Sequence, residues 1–234
     1  MVCGEGLHYL DKSTPVLCIY CGTHELGHIS CPNGHYICDL CHNRDALLAI
    51  QDFIRKSPLT DALAIAEAVM CFPGLPMLGC QHAYIAGGAL MAALKNEGQA
   101  RVTDNDIQEV FNRTEKQAHG GYCGLTGVCG IAPAIGACFA VLTGSKCGTD
   151  REQRITMQAV SQVTRAIIEL TGPSCCKAYV RTALGTATVA IRETFNISLT
   201  TASTPVCQHS DRHPHGCRRE QCPYYDGGLS ATKG

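Results

Sequence analysis

Apolar residues recur at helical intervals through the middle of the chain and not at its ends. "DALLAIQDFIRK" and "TDALAIAEAVM" form two apolar helical runs, separated at Ser57-Pro58, where proline restricts the preceding backbone. "QHAYIAGGALMAALKNEG" forms a third run that closes near Gly98. Thr103 and Asp106 have the spacing of a capping box ahead of "DNDIQEVFNRTEKQA". Thr149 and Glu152 repeat that spacing ahead of "REQRITMQAVSQVTRAIIEL", where Val160, Val163, Ile167 and Leu170 make one apolar stripe. Gly172 and Pro173 stop that helix. Ser174 is then placed to cap a last one, "CCKAYVRTALGTATVAIRETF". Strand signals are weak and confined to the ends. The pattern predicts a mainly α fold with a helical core over 46–200. A zinc-knuckle module of ribbon or RING-like type precedes it over 1–45. A Cys/His-rich metal-binding tail follows over 201–234 and is flexible after Tyr225.

One stretch breaks the amphipathic rule. "HGGYCGLTGVCGIAPAIGACFAVLTGSKC", from His119 to Cys147, carries no charge before Lys146. It is long enough to raise the question of a membrane span. Its Gly, Ala, Thr and Cys outnumber its large aliphatics, and Pro133 would break an isolated helix. The better reading is a core helix whose small residues Ala132, Gly136 and Ala137 let neighbours approach closely, with Cys138 as packing. No membrane association is expected.

Composition changes the picture through cysteine. There are 17 cysteines in 234 residues, several times ordinary usage. The N-terminus "MVCGEGLHYLDKSTP" has neither the basic nor the apolar region of a secretion signal, and an odd count cannot pair completely. Metal thiolates in a reducing, oxygen-poor cytoplasm are therefore expected over disulfides. A net charge of −1 provides no field to recruit nucleic acid.

The N-terminal spacing is Cys18-x2-Cys21, then Cys31-x3-His35-x2-Cys38-x2-Cys41. Two CxxC turns present four sulfurs, so Cys18, Cys21, Cys38 and Cys41 are assigned to one structural zinc ion. The order of the six residues resembles the first ligands of a RING cross-brace, but no later CxxC follows promptly. Cys31 and His35 then either join the tail or are not ligands. His8, His24 and His28 read as solvated loop residues. In the tail, Cys207, Cys217 and Cys222 are expected to form a second metal group, with His209 or with Cys31 and His35, because "CQHSDRHPHGCRREQCPYY" is too polar to pack unaided.

In the core, a cap at Ser174 would put both Cys175 and Cys176 in the first helical turn. Free amides there favour thiolate, as do Lys177 and Arg181. Cys123 and Cys129 lie in a glycine-rich entry to the next helix, and Cys80 and His82 open another. Helix starts converging on thiolates can cradle an iron–sulfur cluster. The ligand candidates are Cys123, Cys129, Cys175 and Cys176. His82, His119 and Lys177 are candidates for proton transfer, that is, for the catalytic groups.

Taken together, "CIYCG…CPNGHYICDLCH", "MLGCQHAYIAGGALMAALKN", "GGYCGLTGVCGIAPAIGA", "TGPSCCK" and "C…C…CPYY" resemble a family of cysteine-rich proteins from methanogens and anaerobic bacteria, a domain of unknown function. Some members are linked to methyltransferase-like or radical-SAM domains, which implies such a partner. Where that family carries "GPEHH", this chain reads "GCQHA", so only His82 matches and Cys80 is additional. A fainter similarity is to the helical domain of iron–sulfur serine dehydratases and cysteine desulfidases. It implies a [4Fe–4S] enzyme of lyase, desulfidase or sulfurtransferase type. The alternatives are a zinc-dependent interaction module and a thiol redox or sulfur carrier using Cys175 and Cys176.

Overall fold

The computed structural model describes Cys3 and residues 5–72, 75–170, 172–201 and 205–226. It divides into two compact units, Met1–Asp45 and Ala46–Gly234. The expected flexibility after Tyr225 lies, from residue 227 onward, outside the described residues.

The first unit is built on an antiparallel hairpin of β1 (His8–Leu17) and β2 (His24–Ser30), with Leu17 opposite His24. His8, His24 and His28 therefore lie on strands rather than in loops. The hairpin turn carries Cys18 and Cys21, two of the clustered cysteines. Gly22 takes φ +71°, which a side chain would resist, and its amide donates to the Cys18 carbonyl at 2.9 Å. A second glycine turn follows, where the Gly34 amide donates to the Cys31 carbonyl at 2.9 Å. The Ile19 amide donates to the Tyr36 carbonyl at 2.9 Å, so the segment after Cys18 runs beside the segment before Cys38. Helix α1 (Asp39–Lys56) begins in this unit, carries Cys41 in its first turn, and runs into the second.

The second unit is built mainly on helices: α2 (Ala62–Met70), α3 (Gln81–Glu97), α4 (Asp104–Glu115), the short α5 (Tyr122–Thr126), α6 (Ile131–Thr143), α7 (Arg151–Ile168) and α8 (Cys176–Phe195). The mainly α expectation holds among the described residues. Helix α3 is buried without interruption from Gln81 to Leu94 and packs against α2, α4, α6 and α8. A helix apolar all round needs such a jacket. The uncharged stretch forms α5 and α6, and among the described residues no helix is long and apolar enough to cross a membrane. Pro133 sits in the first turn of α6, where its missing amide had no intrahelical acceptor. A Cβ at Gly136 would overlap Val160 Cγ2 of α7, and one at Gly87 would press Val110 and the Ala134 carbonyl. Close helix approach therefore explains both glycines. Cys138 packs as expected, its thiol donating to the Gly87 and Ala134 carbonyls at 3.3 Å.

Two predicted caps fail. The Thr103–Asp106 box is present in both directions, at 3.3 and 2.8 Å. Thr149 instead turns back to Lys146, bonding its carbonyl at 2.8 Å, and α7 starts after Asp150 with no side-chain cap. Ser174 likewise does not cap α8. The cap position is Cys175, extended at φ −127° and ψ 102°, and only Cys176 enters the helix. Of the predicted α7 stripe, Val163 and Ile167 are buried, while Val160 and Leu170 are partly buried against the same core.

Residues 205–226 belong to the second unit and fold onto the start of α8. The Cys207 amide donates to the Tyr224 carbonyl at 2.7 Å, and the Tyr224 hydroxyl bonds Thr182 at 2.8 Å. His213 Nε2 donates to the Ser174 carbonyl at 3.1 Å, and Arg218 donates to that of Pro173.

Candidate metal centres

In the first unit two groups of ligand atoms converge, each within 4.8 Å: Cys18, Cys21, Cys38 and Cys41, and Cys3, Cys31 and His35. Cys21 and Cys38 sulfurs are 3.6 Å apart, close to the ~3.8 Å expected between sulfurs around a tetrahedral zinc. Without an ion the four thiols cannot all ionise. Burial opposes ionisation of Cys18, but amides of Cys38, Cys21 and Tyr20 hold it down at about 6. Cys41 is pushed up to about 12, chiefly because it gives its hydrogen bond to Cys21. That uneven sharing of protons is what a cation at the centre would remove.

The second group adds a residue to the sequence reading. Cys3, which the sequence reading did not single out, comes within 4.8 Å of the ligand atoms of Cys31 and His35. Cys3 and Cys31 sulfurs are 3.3 Å apart, and Cys31 Sγ lies 3.7 Å from His35 Nδ1. The ligand order interleaves the two groups: Cys3, then Cys18 and Cys21, then Cys31 and His35, then Cys38 and Cys41. Cys3 has no local partner spacing, so only the demand of a cross-brace for an earlier ligand could have pointed to it.

In the second unit the starts of α3, α6 and α8 meet. The Gly79 amide donates to Cys176 sulfur, and Cys176 feels the charges of Cys129 and Cys123. Amides of Ile131 and Ala132, at the start of α6, donate to Cys129. Cys123, Cys129 and Cys176 therefore form one neighbourhood. The expected lowering of thiol pKa at the helix start is overturned. Burial pushes Cys176 up to about 12 and Cys129 to about 11, and Cys175 is also raised. Desolvation of an anion outweighs the amide donors while no cation shares the site. Cys175 leaves this neighbourhood. As the extended cap residue it faces Met77, Ala178 and the tail.

His82 is fully buried. Its Nδ1 bonds the Gly79 carbonyl at 3.1 Å, and its Nε2 has no partner among the described residues. Burial and the charges of Lys177 and Arg181 lower its pKa to about 3, so the ring is neutral. Lys177 is 1% exposed, donates to the Met70 carbonyl at 2.7 Å, and is lowered to about 8 by burial and by Arg181. His119 is exposed on the surface, bonded to the Lys116 carbonyl at 3.3 Å. A pair that sequence reasoning did not single out lies beside Lys177. Arg181, 2% exposed, grips Glu67 at 2.6 and 2.8 Å and lies over the Tyr224 ring. His209 is buried near Lys177 and borders a cleft with Glu67 and Cys71.

No curated protein and no solved structure matches the chain. A family model matches residues 50–225, which takes in most of the helical unit with the tail cysteines and leaves the hairpin unit outside. The chain therefore belongs to the family of unknown function DUF5714.

Proposed function

We propose that the protein is a cytoplasmic iron–sulfur enzyme of non-redox lyase or sulfur-transfer type, carrying a separate zinc-bound module. The observation that carries this is the meeting of Cys123, Cys129 and Cys176 at three helix starts, with amide donors to two of the sulfurs. Three thiolates fit a [4Fe–4S] cluster that keeps one iron without a cysteine ligand. When bound, such a cluster supplies a Lewis acid for a substrate oxygen or sulfur. Buried Cys thiols that cannot ionise alone suit a cationic inorganic core. His82, neutral and bare at Nε2, accepts a hydrogen bond from substrate, while Lys177 is the buried amine for proton transfer. His119, on the surface, is dropped from that role. The hairpin unit binds two zinc ions in a cross-brace and shapes the module around them.

Protein purified without oxygen tests this. Iron and acid-labile sulfide in equal amounts are expected, and Cys176→Ala is expected to remove about four of each. Equal iron in wild type and the variant would contradict the reading.

A second reading is a zinc-dependent docking module for a methyltransferase or radical-SAM partner. One observation favours it: the hairpin unit exposes Tyr9, Ile19, Tyr20 and Leu26, at 65, 45, 68 and 63%. Exposed large apolar residues on a small unit mark a contact surface. Replacing Tyr20 and Leu26 by Ser would then abolish partner capture without altering zinc content.

A further inference from the structure

The adjacent cysteines at the start of α8 face different places, and Cys175 faces the tail. Cys175, Cys207, Cys217 and Cys222 line one narrow cavity together with Arg181 and Arg218. Its free volume is about 10 Å³, the room of one water. Neither an organic substrate nor a cluster of several irons fits that space, whereas a single metal ion does. We propose that these four cysteines hold one zinc ion, which closes the tail onto the start of α8. Cys175 then serves this ion and Cys176 the other centre. The site goes beyond the proposed enzyme site and does not depend on it.

The size of the hole and the donor set agree. Four thiolates around one ion make a tetrahedron, the closed coordination of a structural zinc. The four sulfurs are not among the sets whose ligand atoms lie within 4.8 Å of one another. A hole that just admits a water leaves lining sulfurs ~3.2 Å from its centre, and four of them then stand ~5 Å apart. Each needs to move inward by only ~1 Å to reach a zinc–sulfur bond of ~2.3 Å. Three of the ligands lie on the tail and one at the cap of α8, so a small shift of the tail toward the helix supplies that distance.

The surroundings are arranged for thiolates. The Arg219 amide donates to Cys217 sulfur at 3.4 Å, and the Ala178 amide, in the first turn of α8, donates to Cys175. Donors of this kind orient metal-bound sulfur. Arg219 takes φ +49°, which a non-glycine residue holds only where its surroundings fix it. The Cys207 amide donates to the Tyr224 carbonyl at 2.7 Å and the Tyr225 amide to the Cys222 carbonyl at 3.0 Å, so the backbone at both cysteines is anchored.

The charges match as well. Four thiolates outweigh a divalent ion, and two arginines stand beside them. Arg181 donates to Cys207, and Arg218 Nη1 is buried without a partner among the described residues. His213 also lines the cavity, but it spends Nε2 on the Ser174 carbonyl and Nδ1 on the His215 amide, so the cysteines are the available ligands. The tail is too polar to stay folded on burial alone, and an ion supplies the missing attraction.

Zinc, iron and sulfide per chain test the site, measured on the full chain purified without oxygen. The samples are wild type, Cys175→Ser, Cys222→Ser, the Cys217→Ser/Cys222→Ser double variant and Cys176→Ala. Wild type is expected to carry about three zinc ions, two in the hairpin unit and one here. Cys175→Ser and the tail variants are each expected to lose about one zinc and to keep their iron, sulfide and helical content by circular dichroism. Where a variant loses helical content, the wild-type count decides, and about two zinc ions per chain overturns the proposal. Zinc unchanged in the double variant, or iron and sulfide lost in its place, overturns it too. Cys176→Ala reads the other centre: iron lost there, with zinc unchanged in the tail variants, sinks this site alone. Iron unchanged there, with zinc lost in Cys175→Ser and the tail variants, sinks the proposed enzyme site and leaves this one standing.

Discussion

Cys38 stands where three constraints meet: the pairing of the Tyr36 segment with Ile19, the first turn of α1, and a sulfur 3.6 Å from Cys21. Its replacement by Ser should release about one zinc per chain and expose the hairpin unit to protease, since a unit with so little aliphatic core draws several kcal/mol from its ions (~10 for structural zinc sites). Cys31→Ser should release a different ion and leave the Cys18 site filled; loss of both ions together would mean that the two groups are one site. In the helical unit the most exacting residue is Arg181. Glu67→Ala leaves its guanidinium buried and unpaired, and should cost about 2–3 kcal/mol in denaturant unfolding, because Glu67 keeps some solvent access. Glu67→Ala with Arg181→Met should cost less than Glu67→Ala alone. Cys138, by contrast, is a packing residue, and Cys138→Ala should keep all iron and lose only about 1 kcal/mol.

At the scale of elements, the capping box of α4 and the uncapped start of α7 make a matched pair. Asp106→Ala removes a bond to the Thr103 amide and should cost about 1 kcal/mol; Glu152→Ala should stay within about 0.5, by thermal unfolding. Gly136→Val forces a side chain into Val160 and should cost about 1–3 kcal/mol, while Gly124→Ala, with open space around it, should be mild. The same elements show what a sequence can tell. The buried run of α3 and the stripe of α7 follow from periodicity, because burial is averaged over a whole helix face. The caps at Thr149 and Ser174 do not, because one competing hydrogen bond or one extended residue decides them. That single residue mattered most: with Cys175 as the extended cap, the two adjacent thiols part company. The Cys18 set was legible because its ligands come in local pairs. Cys3, and the grouping of Cys175 with the tail, were not, since they arise from the approach of segments far apart in the chain.

At the scale of the molecule, thiols gather in both units. The hairpin unit gathers its ligands within the reach of single ions, and the helical unit spaces its cysteines around helix starts and a tail cavity. The family match spans the second unit only, so the chemistry shared with the family is expected there, and the hairpin unit is expected to be dispensable for it. Chelation with EDTA in air-free buffer should strip zinc from the hairpin unit and leave iron in the helical unit, read by elemental analysis of the desalted chain. Mössbauer spectroscopy of iron-57-labelled protein, isolated without oxygen, reads whether the helical cysteines hold iron–sulfur clusters. The quadrupole doublet of a [4Fe–4S] cluster is expected, lost in Cys176→Ala. A spectrum without cluster iron, from a chain that carries only zinc, would contradict it.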